Sequence, residues 1–106
     1  MKIKTANLTG PALDWAVCVC EGESPSRYTQ YSTDWSQGGP IIEREKIELT
    51  DLSNQETGYE WGASIIAGGK NMVIHRGYGP TALIAAMRCF VASRLGDEVE
   101  VPDELL

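Results

Sequence analysis

The sequence predicts an α+β fold, two helices packed on a small, mainly antiparallel β-sheet, and three observations carry the prediction. Two segments keep a helical apolar period behind Gly-Pro starts, at Gly10-Pro11 and Gly79-Pro80. Two others, near 59 to 66 and 71 to 76, alternate apolar and polar residues like the arms of a hairpin. The third is length: 106 residues have room for one hydrophobic core, so a single domain over residues 1–106 is expected.

Residues 2 to 5 read as a short first strand. Pro11 then suits the first turn of a helix, where its missing N–H has no intrahelical partner to lose. Leu13, Ala16, Val17 and Cys20 follow as an apolar stripe that ends before Gly22, which places a helix at about 10 to 21. From Glu23 to Gly39 no period is sustained, so the stretch reads as a long loop carrying Tyr28, Tyr31 and Trp35. Pro40 opens a short helix through Ile41, Ile42 and Glu45, and Ile47 and Leu49 alternate as a strand.

Asp51 to Gly58 is polar and turn-like. Tyr59, Trp61, Ala63 and Ile65 form one hairpin strand, Gly68-Gly69 the turn, and Met72 to His75 the answering strand. A second long helix is expected at about 80 to 95, with Leu83, Met87, Phe90 and Val91 as its core stripe and Gly96 as its stop. Asp97, Glu98, Glu100, Asp103 and Glu104 make an acidic tail at about 97–106, in which Val99 and Val101 can add an edge strand. Trp15, Val17, Leu83, Met87 and Phe90 are the expected core.

Hydrophobic residues at 42% and charged residues at 23% are the proportions of a chain that folds. No apolar run approaches the roughly 18 residues of a membrane span, and Met1-Lys2-Ile3-Lys4 leads into polar residues, not a signal-peptide core. A cytoplasmic protein with no membrane partner is expected. Cys18, Cys20 and Cys89 are an odd number, read as reduced thiols. Fifteen acidic against nine basic residues give a formal charge of −6, which repels a phosphate backbone and argues against duplex nucleic acid.

Chemistry is sparse. Cys18 and Cys20 point roughly 200° apart on a helix, and with one histidine in the chain they cannot assemble a zinc site. His75 is the only histidine base available to a nucleophile, and there is no Gly-x-Ser-x-Gly elbow, phosphate loop or dinucleotide fingerprint. With no complete catalytic constellation, neither an enzyme nor a cofactor is expected.

Two constellations suggest binding instead. In Arg76-Gly77-Tyr78-Gly79-Pro80-Thr81-Ala82 an arginine, a ring and two glycines precede a helix N-terminus, whose unpaired amides and partial positive charge favour an anion. Arg88 follows two turns along. The competing reading is a tight strand-to-helix turn with a solvated arginine. In Tyr31-Ser32-Thr33-Asp34-Trp35, a tryptophan beside a carboxylate could stack on a base while Asp34 holds ribose hydroxyls; equally, Trp35 could fold inward as a plug. Trp61 and Arg44 complete the candidate set.

Several blocks also resemble the NinX-like family of small tailed-phage and prophage proteins. They are Gly38-Gly39-Pro40-Ile41-Ile42-Glu43-Arg44-Glu45 and Gly79-Pro80-Thr81-Ala82-Leu83-Ile84-Ala85-Ala86-Met87-Arg88-Cys89-Phe90-Val91. Met1 to Thr5, Leu13 to Val17, Tyr31 to Trp35 and Gly96 to Pro102 fit the same pattern, and the match is weakest from Thr50 to Lys70. The resemblance implies a phage origin and action in the bacterial cytoplasm, and it supplies no catalytic residues. By association it points to interference with host defence. The functional expectation is a protein that binds, and sequesters, a nucleotide-derived anionic small molecule as a homo-oligomer. The alternatives are a module that inhibits a host enzyme and, third, an enzyme that cleaves such a ligand.

Overall fold

The computed structural model describes residues 1–24, 29–56, 58–67 and 72–105. The chain forms β1 (Lys2–Lys4), a 3-10 turn at Thr5–Asn7, α1 (Gly10–Glu21), α2 (Trp35–Glu45) and β2 (Glu48–Asp51). β3 (Trp61–Ala67), β4 (Val73–Gly79), α3 (Ala82–Leu95) and β5 (Glu98–Glu100) follow, with a last 3-10 turn at Asp103–Leu105. The fold is α+β, as expected, but the arrangement is richer than two helices on one sheet. Among the described residues there are three α-helices and two antiparallel sheets, ordered β1-β5 and β2-β3-β4.

α1 spans the predicted residues. Gly22 ends it at φ +72, a left-handed conformation in which its amide reaches the Cys18 and Val19 carbonyls. Leu13, Ala16 and Val17 are fully buried, whereas Trp15 is only half-buried and lies at the border of the core. The expected loop from Glu23 to Gly39 is cut short, because α2 begins at Trp35 and carries Gly38, Gly39 and Pro40 inside it. Pro40 therefore does not open a helix. Asp34 does: its Oδ1 accepts from the Ser36 amide at 2.9 Å, satisfying a free donor of the first turn. Gly38 is fixed by a close approach, since a Cβ there would strike the Tyr31 carbonyl oxygen and come within 2.6 Å of Leu83 Cδ1.

β3 and β4 pair from Trp61↔Gly79 to Ala67↔Val73, so the hairpin strands stand as predicted while the Gly68-Gly69 turn lies outside the described residues. β4, however, continues beyond the expected end at 76 through Gly77, Tyr78 and Gly79, which the sequence reading had placed in the approach to the helix. Pairing fixes the faces, because side chains alternate along a strand. Gly77 and Gly79 turn inward beneath α3, and Arg76 and Tyr78 turn outward. A Cβ on Gly77 would collide with the Ala85 carbonyl oxygen and lie 2.5 Å from Cys89 N, so the helix backbone rests directly on the strand.

α3 is the hub of the core. Leu83, Ala85, Ala86, Met87, Cys89, Phe90 and Val91 are all buried, consistent with a helix covered on most sides. Burying each of Leu83, Met87 and Phe90 contributes about 1.5–3 kcal/mol. The helix starts at Ala82 with Thr81 as its cap, two residues later than Pro80 suggested, and Gly96 follows its end. Val99 and Val101 are buried as β5 pairs with β1, away from the larger sheet.

Candidate functional site

Where α2 and α3 begin, a groove of about 380 Å³ opens between them and the start of β3, lined among others by Thr33, Trp35, Trp61, Pro80, Thr81 and Ala82. Four of the residues singled out in the sequence thus meet: Trp35, Trp61, Thr81 and Ala82. Trp35 is the first residue of α2 and 54% exposed, so it faces outward and is no plug. Trp61 is half-buried against the core. Thr81 caps α3, its hydroxyl accepting from the Ile84 amide at 3.1 Å. That bond satisfies one donor of the first helical turn, and the amides before it are left for solvent or a ligand.

The other candidates stand elsewhere or have structural duties. Asp34 borders the groove by sequence, but Ser36 occupies its Oδ1 through both amide and hydroxyl (2.9 and 2.6 Å), and Gln37 Nε2 reaches Oδ2 at 3.4 Å. The Ser36 bonds hold the Asp34 carboxyl below its ordinary range. Arg88 is a clamp: Nε donates to the Leu8 carbonyl and Nη1 to the Tyr78 carbonyl, both at 2.8 Å, tying the turn before α1 to the end of β4. Burial pushes the Arg88 guanidinium below its usual range, the opposite of what an anionic partner does. Gly79 borders that clamp, at a place where a Cβ would lie 3.3 Å from Arg88 Nη1.

Arg44 belongs to a surface network. It forks onto Glu21 at 2.9 and 2.8 Å and onto Glu45 at 2.8 Å, and Arg94 closes on Glu45 at 2.7 Å. Hydrogen bonding to Arg44 and then Arg94 holds the Glu45 carboxyl low, and both guanidinium groups lie over the Phe90 ring, at 5.7 and 5.2 Å. Arg76 and Tyr78 occupy the outer face of the sheet, with Tyr78 stacked on Tyr59 at 4.9 Å between centroids. Arg76 has no ion pair among the described residues. The run Arg76 to Thr81, contiguous in sequence, is divided between two faces.

The thiols of Cys89 and Cys20 are held in their neutral form by burial. Cys89 Sγ donates to the His75 backbone carbonyl at 3.2 Å, and burial pushes its thiol up to about 12. Burial raises Cys20 to about 11. Two residues were not among the candidates read from the sequence. One is Asp14, buried inside the α1 stripe with Oδ1 accepting from the Ser32 amide and hydroxyl at 2.9 and 2.7 Å. The other is Tyr59, whose place in a ring stack gave no signal.

The groove, the surrounding helix starts and the all-antiparallel sheets define a small α+β protein with an aromatic cleft at the meeting of two helix N-termini. The chain matches the family model described as Bacteriophage P22, NinX over residues 4–94, and it belongs to that family. No curated protein matches it.

Proposed function

We propose that the groove binds the ring of a nucleotide-derived anionic small molecule and that the protein acts by sequestering it. One observation carries this reading: Trp35 and Trp61, distant in sequence, flank the same groove at the start of α3. A flat ring can stack on the exposed Trp35, and an attached anion can reach the amides of Thr81 and Ala82. Arg76, Arg88 and Arg44 do not line the groove, so here the anion depends on backbone donors. About 380 Å³ is at the small end for a ligand pocket, and a second copy of the chain placed across it would enclose the ligand. Membership of a phage protein family makes a host defence signal the natural target.

The test is titration calorimetry with mononucleotides and cyclic dinucleotides on the parent, Trp35→Ala and Arg76→Ala, with circular dichroism as the control for folding. Trp35→Ala should weaken binding by about 1–3 kcal/mol, the range for one base stacked on one ring. Arg76→Ala should leave it unchanged, because Arg76 faces the other side of the sheet. No saturable heat from any nucleotide sinks the reading. The second reading, a module that inhibits a host protein, is favoured by the outer sheet face, where Ile66, Ile74 and Tyr59 are 57%, 49% and 49% exposed. Ile74→Lys would abolish inhibition there and leave nucleotide binding intact.

A further inference from the structure

A larger cavity, about 600 Å³, lies at the start of α1 and is separate from the tryptophan groove, sharing only Thr33 with it. Its wall includes Asp14, Trp15 and Thr33 on one side and Pro102, Glu104 and Leu105 on the other. Asp14 is 92% buried by its 8% relative exposure, an uncommon place for a carboxylate. Ser32 donates twice to the same oxygen, Oδ1, and so fills both of its lone-pair sites.

Oδ2 receives no hydrogen bond, yet no side-chain nitrogen or oxygen among the described residues is both buried and unpartnered. This oxygen is therefore not fully enclosed, and Asp14 is one of the residues that line the cavity. Glu104 stands at the rim, and among the described residues no lysine or arginine lines the cavity; Lys2 and Lys4 line the neighbouring hollow. An accessible carboxylate oxygen beside two aligned donors on its twin can accept from whatever donor enters the cavity, and a cation makes the strongest such bond. Trp15 lines the same cavity, and an indole ring attracts a cation placed over its face.

We propose that this cavity binds an organic ammonium ion whose apolar or flat body rests against Trp15, Pro102 and Leu105. The ammonium donates to Asp14 Oδ2, with Glu104 adding attraction from the rim. A single free oxygen favours a compact ammonium over a guanidinium, whose fork needs two acceptors. This site takes the opposite charge from the tryptophan groove, so the two readings stand or fall apart.

The probes are phenethylammonium, the neutral 2-phenylethanol and the anionic phenylacetate, which differ only in the terminal group. Calorimetry should give saturable binding for the ammonium alone, and proton–nitrogen spectra should show the Trp15 indole N–H shifting with it. Asp14→Asn keeps an acceptor for Ser32 but puts an amide where Oδ2 was, and should weaken binding about tenfold or more. Equal binding of the alcohol or the acid, or no saturation by the ammonium, overturns the proposal. So does a shift confined to the Trp35 or Trp61 indole, or undiminished affinity in folded Asp14→Asn. Should Asp14→Asn fail to fold, the three-probe series and the indole assignment on the unaltered protein decide.

Discussion

The chain uses Gly-Pro twice before a helix, and the two uses are physically different. At Gly10-Pro11 the glycine is the first residue of α1, at φ +55, and nothing lies within 4 Å of where its Cβ would be. Thr9 precedes it as the cap residue but makes no side-chain cap bond. At Gly79-Pro80 the glycine ends a strand, pressed under α3 with Ile84 Cγ2 only 2.9 Å from a would-be Cβ, and Thr81 supplies the cap. The first glycine serves conformation and the second serves space. The same dipeptide therefore marks a helix start without saying what the glycine is for.

Substitutions can break this comparison. The largest effect is expected at Gly77, the inward-facing partner of Gly79 on β4: Gly77→Ala drives a methyl into helix backbone that cannot rotate away, and should cost about 3 kcal/mol or more. Urea unfolding measures it, and a loss below 1 kcal/mol, as an order of magnitude, would mean that α3 lifts freely off the strand. Gly10→Ala has space but the wrong φ, and should cost about 1 kcal/mol, with Gly10→Asn recovering part of it.

Thr81→Ala removes the bond to the Ile84 amide and should cost about 1 kcal/mol, while Thr81→Ser should stay near the parent. Thr9→Ala loses no cap bond, so thermal melts should place it within about 0.5 kcal/mol of the parent. If Thr9→Ala costs as much as Thr81→Ala, the contrast between the two starts fails.

What the sequence made legible follows the same division. α1 could be read because its period, its early proline and Gly22 all agree. The start of α2 could not, because Gly38-Gly39-Pro40 reads as a breaker; the cues that outweighed it were Asp34, a good cap, and the burial of Gly38 against the Tyr31 carbonyl. Trp35, Trp61, Thr81 and Ala82 came from separate readings of the sequence, and the structure brings them to one groove. Arg76 and Tyr78 lie on the other face of the sheet, which the sequence reading missed because it did not carry the period-two alternation on through Tyr78 and Gly79.

Arg88 teaches a different limit. An arginine beside an apolar stripe has a free charge in sequence, but its N–H groups are used by the Leu8 and Tyr78 carbonyls, which no local pattern reveals. Asp14 is the mirror case, a carboxylate within the α1 stripe that looks like an ordinary polar interruption. Its burial depends on Ser32, eighteen positions away.

The placing of α3 has a consequence for how the molecule opens. α3 touches β2, β3, β4, β5, α1, α2 and the turn at Thr5–Asn7. The larger sheet and the other two helices all pack on it, and Met87, Phe90 and Val91 are fully buried, so its central amides should exchange with deuterium only when the whole chain unfolds. The β1-β5 ribbon, three residues on each strand, should exchange first. The protection of Met87 and Phe90 amides would then report the global stability of the domain directly, whereas that of Ile3 and Val99 would report only local fraying.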